Sequence, residues 1–158
     1  MTTINQLETL LLIEFNNGKT LSQLHHILNQ YDGNDWKNYV QFNDTKYNRI
    51  KIPTLLSDNK IFEIIIICWK KDQESQIHDH PENGCLLKLL DGKLQETKYK
   101  KYEDSLYPTD TNIFDLNEPN NTSYLSGKFG LHSIKALENS VSIHIYSPIN
   151  YIPVCYIK

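Results

Sequence analysis

Two of the chain's six histidines, His78 and His80, stand one residue apart in Ile77-His78-Asp79-His80. In an extended strand, side chains two residues apart leave the same face, and their Cα atoms lie roughly 6.6 Å apart at about 3.3 Å per residue. Imidazoles at that separation can converge on one metal ion. A third candidate ligand, His132, lies far along the chain in Gly130-Leu131-His132. Taken alone, such a pair reads as structural or solvent-exposed, so the residues around it have to decide. His25 and His26 fall in a helical segment and read as structural or exposed. Asp79, Glu82 and Glu96 are carboxylates within reach of a metal in sequence terms. Asp79, however, points away from its flanking histidines and reads as solvated or hydrogen-bonded behind them.

The stretch HDHPENGCLLKLLDGKLQET, residues 78–97, resembles the first cupin motif, in which the histidine pair is followed by a glutamate and then a glycine. Cys85 stands where that glutamate would be, and the GLH at 130–132 takes the place of the histidine of the second motif. A carboxylate ligand would neutralise part of a ferrous ion's charge and fill a coordination position. Three neutral imidazoles leave the dipositive charge and open positions. Such a site favours an anionic chelating substrate. Free cysteine fits, through its amine and a thiol that the metal would bind deprotonated.

Two further patterns carry chemistry. Arg49 is the one arginine in the chain, beside fifteen lysines. A planar guanidinium suits bidentate capture of a carboxylate in a way lysine does not. In the run 139–147, Val141, Ile143 and Ile145 share one face of a strand, and Ser142, His144 and Tyr146 share the other. A polar row of this kind belongs either to a solvated sheet face or to the polar lumen of a barrel.

Together these residues make the chain similar to the cysteine dioxygenase family. The matching pieces are Tyr47-Asn48-Arg49, Cys68-Trp69, IHDH at 77–80, Cys85, LKLLDGKLQET at 87–97, GLH at 130–132 and SIHIYSP at 142–148. The resemblance implies an enzyme that oxidises L-cysteine with O2 to cysteine sulfinic acid, with one Fe(2+) per chain held by His78, His80 and His132. It implies that Arg49 holds the substrate carboxylate and that Tyr47 lines the same pocket. It also implies a Cys85–Tyr146 thioether crosslink, a relay of Ser142, His144 and Tyr146, a cis peptide bond at Ser147-Pro148, and Trp69 packed against the relay histidine. Cys155 would match another cysteine near the pocket. The chain departs from animal members at Gly84, in the residues after His132, and beyond Lys158, where those members continue with strands that partly cover the site. Competing readings are a dioxygenase of another small thiol such as 3-mercaptopropionate, a non-catalytic metal-binding cupin, and a structural zinc site. The last has no fourth protein ligand in view.

The elements that must position these residues change character along the chain. Helical spacing predicts helices over 3–16, with Thr3 as cap, and over about 21–30, with a short one from 35 to 40. From about residue 47, β-branched and aromatic runs alternate with turn residues. They predict strands near 47–52, 61–69, 75–79, 85–90, 93–102, 111–115, 121–125, 130–136, 139–147 and 152–157. Asp91-Gly92 reads as a hairpin turn, and Asn120-Asn121 and Gly127-Lys128 as further turns. The expected fold is mainly β, a cupin-type antiparallel barrel or sandwich of jelly-roll kind with a small N-terminal helical cap. It forms one domain over 1–158, with the helices in 1–42 and the β region with the metal site in 43–158.

With 158 residues, 22% charged and 39% hydrophobic, the composition is that of an ordinary globular protein with a real core. A net charge of −3 gives no electrostatic reason to expect nucleic acid or an anionic membrane. No apolar run is long enough to span a bilayer. The start MTTINQLETLLLIEF lacks the basic segment and cleavage site of a secretory signal, so a cytoplasmic monomer is the expectation. Three cysteines without such a signal argue against a disulfide framework.

Overall fold

The computed structural model describes residues 1–53, 59–119 and 121–157. Thr3 opens α1 (Ile4–Asn16). Its hydroxyl accepts from the Gln6 amide at 3.1 Å while the Gln6 side chain accepts from the Thr3 amide at 3.2 Å, a reciprocal cap. Ile4, Leu7 and Leu11 then share one buried face. The expected second helix is split into a 3-10 turn, Leu21–Gln23, and α2 (His25–Gln30). The tighter turn puts Leu21 and Leu24 one above the other, and both are fully buried. The segment predicted at 35–40 is also a 3-10 turn, Asp35–Tyr39.

Ten strands follow: β1 (Asn48–Lys51), β2 (Glu63–Trp69), β3 (Ile77–His78), β4 (Gly84–Asp91), β5 (Lys93–Tyr102), β6 (Ser105–Asp115), β7 (Thr122–Leu125), β8 (Leu131–Ala136), β9 (Ser140–Ser147) and β10 (Cys155–Tyr156). They form two antiparallel sheets, ordered β1-β2-β9-β4-β7 and β10-β3-β8-β5-β6. Ile65, Ile67, Trp69, Leu87 and Leu89 of the first sheet pack on Leu94, Phe114, Ile134 and Ala136 of the second. The expected mainly β, helix-capped fold is therefore present, as two facing sheets and not as one closed barrel.

The helices lie over the outer face of the first sheet. Leu7, Leu11, Leu24 and Leu28 pack with Ile64, Ile66, Ile143 and Ile145. Each such fully buried side chain contributes about 1.5–3 kcal/mol. This explains why β2 reads EIIIICW without alternation. Both of its faces are covered, so all seven residues are buried. In register, Ile65 and Leu87 flank His144, and Ile67 and Leu89 flank Ser142. The polar row of β9 therefore faces the inside of the sandwich.

Several sequence expectations change. Asp91-Gly92 is not a hairpin, because β4 pairs with β7 and β9 whereas β5 pairs with β6 and β8. The turn instead carries the chain from one sheet to the other. Gly92 sits at φ +84°, and a Cβ there would strike Ser140 and the Asn139 carbonyl. The strand predicted at 111–115 begins six residues earlier, at Ser105. Pro108 did not signal a strand, but β6 is an edge strand and a register shift opposite Tyr99 accommodates the missing amide. The runs at 75–79 and 152–157 shorten to two residues each. Asn120 of the predicted Asn120-Asn121 turn lies outside the described residues. No helix among the described residues is long and apolar enough to cross a membrane.

Candidate metal centre

The short strand β3 sets His78 directly opposite His132 of β8. His80 follows β3 and is fixed to the β7–β8 turn: its amide donates to Gly127 O at 3.2 Å, and the Gly127 amide donates to Pro81 O at 3.0 Å. The three rings converge through their Nε2 atoms, with His132 set T-shaped to each of the other two. Nε2 of His132 lies 3.1 Å from Nε2 of His80 and 3.2 Å from Nε2 of His78. Each residue offers a ligand atom within 4.8 Å of the others.

The far side of each ring explains which nitrogen holds the proton. Nδ1 of His78 lies 2.8 Å from Gln76 O, Nδ1 of His80 2.5 Å from Gly130 O, and Nδ1 of His132 2.8 Å from a Glu96 carboxylate oxygen. Carbonyl and carboxylate oxygens only accept, so each Nδ1 donates and each Nε2 presents a lone pair. Burial holds all three imidazoles below the usual histidine range, His80 and His132 well below it, and their mutual repulsion adds to the effect at those two. The rings are neutral at neutral pH. Three lone pairs aimed at one point repel one another unless a cation lies among them. This donor set fits a divalent metal ion, and the oxygens behind the rings are the partners that orient metal-bound histidines.

Glu96 is the functional residue the sequence reading left unplaced. It is fully buried on β5, accepts from the Ser123 hydroxyl as well as from His132, and reaches the metal centre through that ring. Its position two residues after inward-facing Leu94 was the available signal. Burial raises its carboxyl above the usual range, while the Ser123 hydrogen bond works against that shift. Asp79 lies in the wall of the adjoining pocket and is not one of the three converging ligands. Its Oδ1 accepts from the Tyr151 hydroxyl at 2.8 Å and from the Val154 amide at 2.8 Å. Glu82 is exposed, and His25 contacts Thr122 at 3.3 Å, away from the three rings.

A pocket opens beside the histidines, with Tyr47, Arg49, Trp69, His144, Tyr146 and Cys155 in its walls. The polar row of β9 is wired. The Trp69 indole N–H donates to Ser142 Oγ at 3.0 Å, and Ser142 lies 2.7 Å from Nε2 of His144. Nδ1 of the same ring lies 3.8 Å from Cys85 Sγ. The His144 and Tyr146 rings stack at 5.9 Å, nearly parallel. Cys85 and Tyr146 are direct cross-strand partners. Burial pushes the Cys85 thiol up to about 12 and the Tyr146 phenol well above its usual range, so both are protonated at neutral pH.

Arg49 stands exposed at the pocket rim with its guanidinium 5.3 Å from the centre of the Tyr146 ring. Tyr47 stacks on Trp69 at 4.5 Å. No carboxylate lies within salt-bridge range of Arg49 among the described residues. Its fork is therefore free for an external anion. The Ser147-Pro148 peptide bond is cis, as expected. Of the residues singled out from the sequence, Tyr47, Arg49, His78, His132, Tyr146 and Cys155 line this pocket, while His80, Cys85 and Ser142 touch its lining from behind. Arg49 comes from an edge strand, and the thiol–phenol pair from the centre of the first sheet.

Comparison with known proteins agrees with this architecture. A structure of oxalate oxidase with the substrate analogue glycolate superposes with a TM-score of 0.55 at 9% identity, over 72% of this chain and 56% of that one, and so supports the fold. Cysteine dioxygenase type 1 of Danio rerio is 29% identical over 137 residues, 81% of this chain and 65% of the relative. The Homo sapiens protein of the same name is 31% identical over 124 residues, 74% of this chain and 58% of the relative. The chain thus spans somewhat less than two thirds of the length of these relatives. Residues 1–155 match the family model described as cysteine dioxygenase type I, and the chain belongs to that family.

Proposed function

We propose that this chain is an iron(II)-dependent thiol dioxygenase that converts L-cysteine and O2 into cysteine sulfinic acid. The observation that carries the proposal is the triangle of three unprotonated Nε2 atoms opening onto a pocket whose rim holds an arginine with no carboxylate partner among the described residues. Fe(II) held by His78, His80 and His132 would supply a positive centre that favours the thiolate and the redox activity that lets O2 react with it. The chain's own residues do the rest. Arg49 receives the substrate carboxylate in a two-pronged hydrogen bond and so fixes which way the amine and thiol face. Tyr146, held by Cys85 and by the face of His144, offers a protonated hydroxyl beside the reacting sulfur. Ser142 and Trp69 hold the His144 ring in place and keep that wall of the pocket rigid. Both oxygen atoms end on sulfur, so the oxidation of the thiol balances the reduction of O2 and no second reductant is required.

The family membership supports the thiol as substrate, and Arg49 supports one that carries a carboxylate. Cysteine presents that group together with two metal-binding atoms, whereas 3-mercaptopropionate lacks the amine. A cytoplasmic monomer is the setting this reading assumes. The test is incubation of iron-loaded protein with cysteine and with 3-mercaptopropionate under isotopically labelled O2. Cysteine sulfinate carrying two labelled oxygens, formed faster than the product from 3-mercaptopropionate, is the expected result. Absence of any sulfinate at full iron loading overturns the assignment.

A further inference from the structure

One wall of the pocket is held in place by the residue between two of the histidines. Tyr151, Pro153 and Cys155 line the pocket, yet no residue from 151 to 157 is buried; Ile152 is 86% exposed and Ile157 89%. This segment has no apolar anchor, so its position depends on polar contacts. They converge on Asp79, which is itself only 3% exposed. One carboxylate oxygen takes both the Tyr151 hydroxyl and the Val154 amide, and the Asp79 amide donates back to Val154 O at 3.1 Å. The remaining ties among the described residues include the two-residue pairing of β10 with β3, the Lys101 ammonium 5.4 Å from the centre of the Tyr156 ring, and the Asn150 amide on Glu63 at 3.2 Å. Asp79 stands in the pocket wall but is not among the three residues whose ligand atoms converge, and its Oδ1 is taken by Tyr151 and Val154. The residue therefore reaches the reaction through the segment it holds, not as a metal ligand.

We infer that Asp79 is a positioning residue that straps residues 151–156 across the mouth of the pocket and thereby limits the bulk of the thiols admitted. This rests on the reading of the pocket as a thiol dioxygenase site. A strap held mainly by one carboxylate loosens when that carboxylate goes, and Tyr151 and Cys155 move with it. Cysteine keeps its carboxylate, amine and thiol contacts elsewhere. A thiol such as L-penicillamine has the same three groups and differs only in the bulk at its Cβ.

The experiment compares the iron-loaded wild type with Asp79→Ala, Asp79→Asn and Tyr151→Phe, with iron content measured for each and rates expressed per bound iron. Hydrogen exchange at the Val154 amide should accelerate by about tenfold or more in Asp79→Ala, the effect of losing one charge-assisted hydrogen bond. Asp79→Asn keeps an acceptor oxygen and should restore most of the protection, while exchange at Ile143 and Ile145 in β9 stays unchanged. The preference for cysteine over L-penicillamine in kcat/KM should fall in Asp79→Ala, mainly through KM, and less in Tyr151→Phe. Wild-type protection at Val154 together with an unchanged preference in Asp79→Ala overturns the inference. If the wild type forms no sulfinate from either thiol, the functional reading fails, and the strap is then decided by the exchange data alone.

Discussion

Replacing Glu96 by alanine should weaken metal binding far more than it weakens the fold. The carboxylate is fully buried, does not itself line the pocket beside the histidines, and holds the Nδ1–H of His132 at 2.8 Å and the Ser123 hydroxyl at 2.8 and 2.9 Å. Without it the His132 ring loses both its orientation and the negative charge that strengthens its Nε2 as a donor. Loss of such a partner lowers metal affinity by about 10- to 100-fold, or about 1.4–2.7 kcal/mol. The effect on the metal-free fold is a difference of opposing terms. An unpaired buried N–H costs about 1–3 kcal/mol, but the desolvated carboxylate is also removed. Glu96→Gln keeps a neutral acceptor for His132 and should fall between the wild type and Glu96→Ala. The assay is anaerobic titration of metal-free protein with Fe(II) against a chromogenic chelator, beside thermal melts of the same metal-free samples. If Glu96→Ala binds iron as tightly as the wild type with an unchanged melting temperature, the carboxylate does not orient the ligand and the reasoning fails.

Arg49→Gln should raise the KM for cysteine by about 10- to 150-fold, the range expected for losing a hydrogen bond between charged groups, and Arg49→Lys should recover only part of that because lysine has no planar fork. An unchanged KM would separate Arg49 from the substrate. The direct pairing of Cys85 with Tyr146 predicts that turnover with iron, cysteine and O2 produces a species lighter by two hydrogen atoms, visible by intact-protein mass spectrometry and absent in Cys85→Ala and Tyr146→Phe. The metal-free protein should lose stability as the pH falls below about 6.5, because the unfolded chain takes up protons there that the buried rings of His78, His80, His132 and His144 resist. Glu96, raised by burial, acts in the opposite sense, but it is one carboxyl against four imidazoles. Thermal melts across this range that stay flat, or rise toward acid, contradict the assignment of neutral buried rings.

What could be read before the structure, and what could not, follows from the range of each signal. His78 and His80 were legible because strand alternation is local, and His132 because its motif resembles that of a known family. The row Ser142, His144 and Tyr146 was legible as one face but not as an inner one. Nothing in β9 distinguishes solvent from a lumen. The answer lay in β2, whose seven consecutive buried residues require a sheet covered on both sides and leave its neighbour no solvated face. The Asp91-Gly92 turn failed as a hairpin for the complementary reason. A glycine at positive φ reports that the chain reverses, but the partner of each strand is chosen by pairing across the fold, where β4 finds β9 and β5 finds β8. Glu96 and Asp79 belong to the same class. Each reads locally as one more carboxylate on a strand, and each takes its role from a partner 36 or 72 residues away. The metal-facing side of this site is therefore written in short-range spacing. The side that orients its ligands and closes its pocket is written in tertiary contacts, and substitutions there should change affinity and selectivity while leaving the histidine triangle in place.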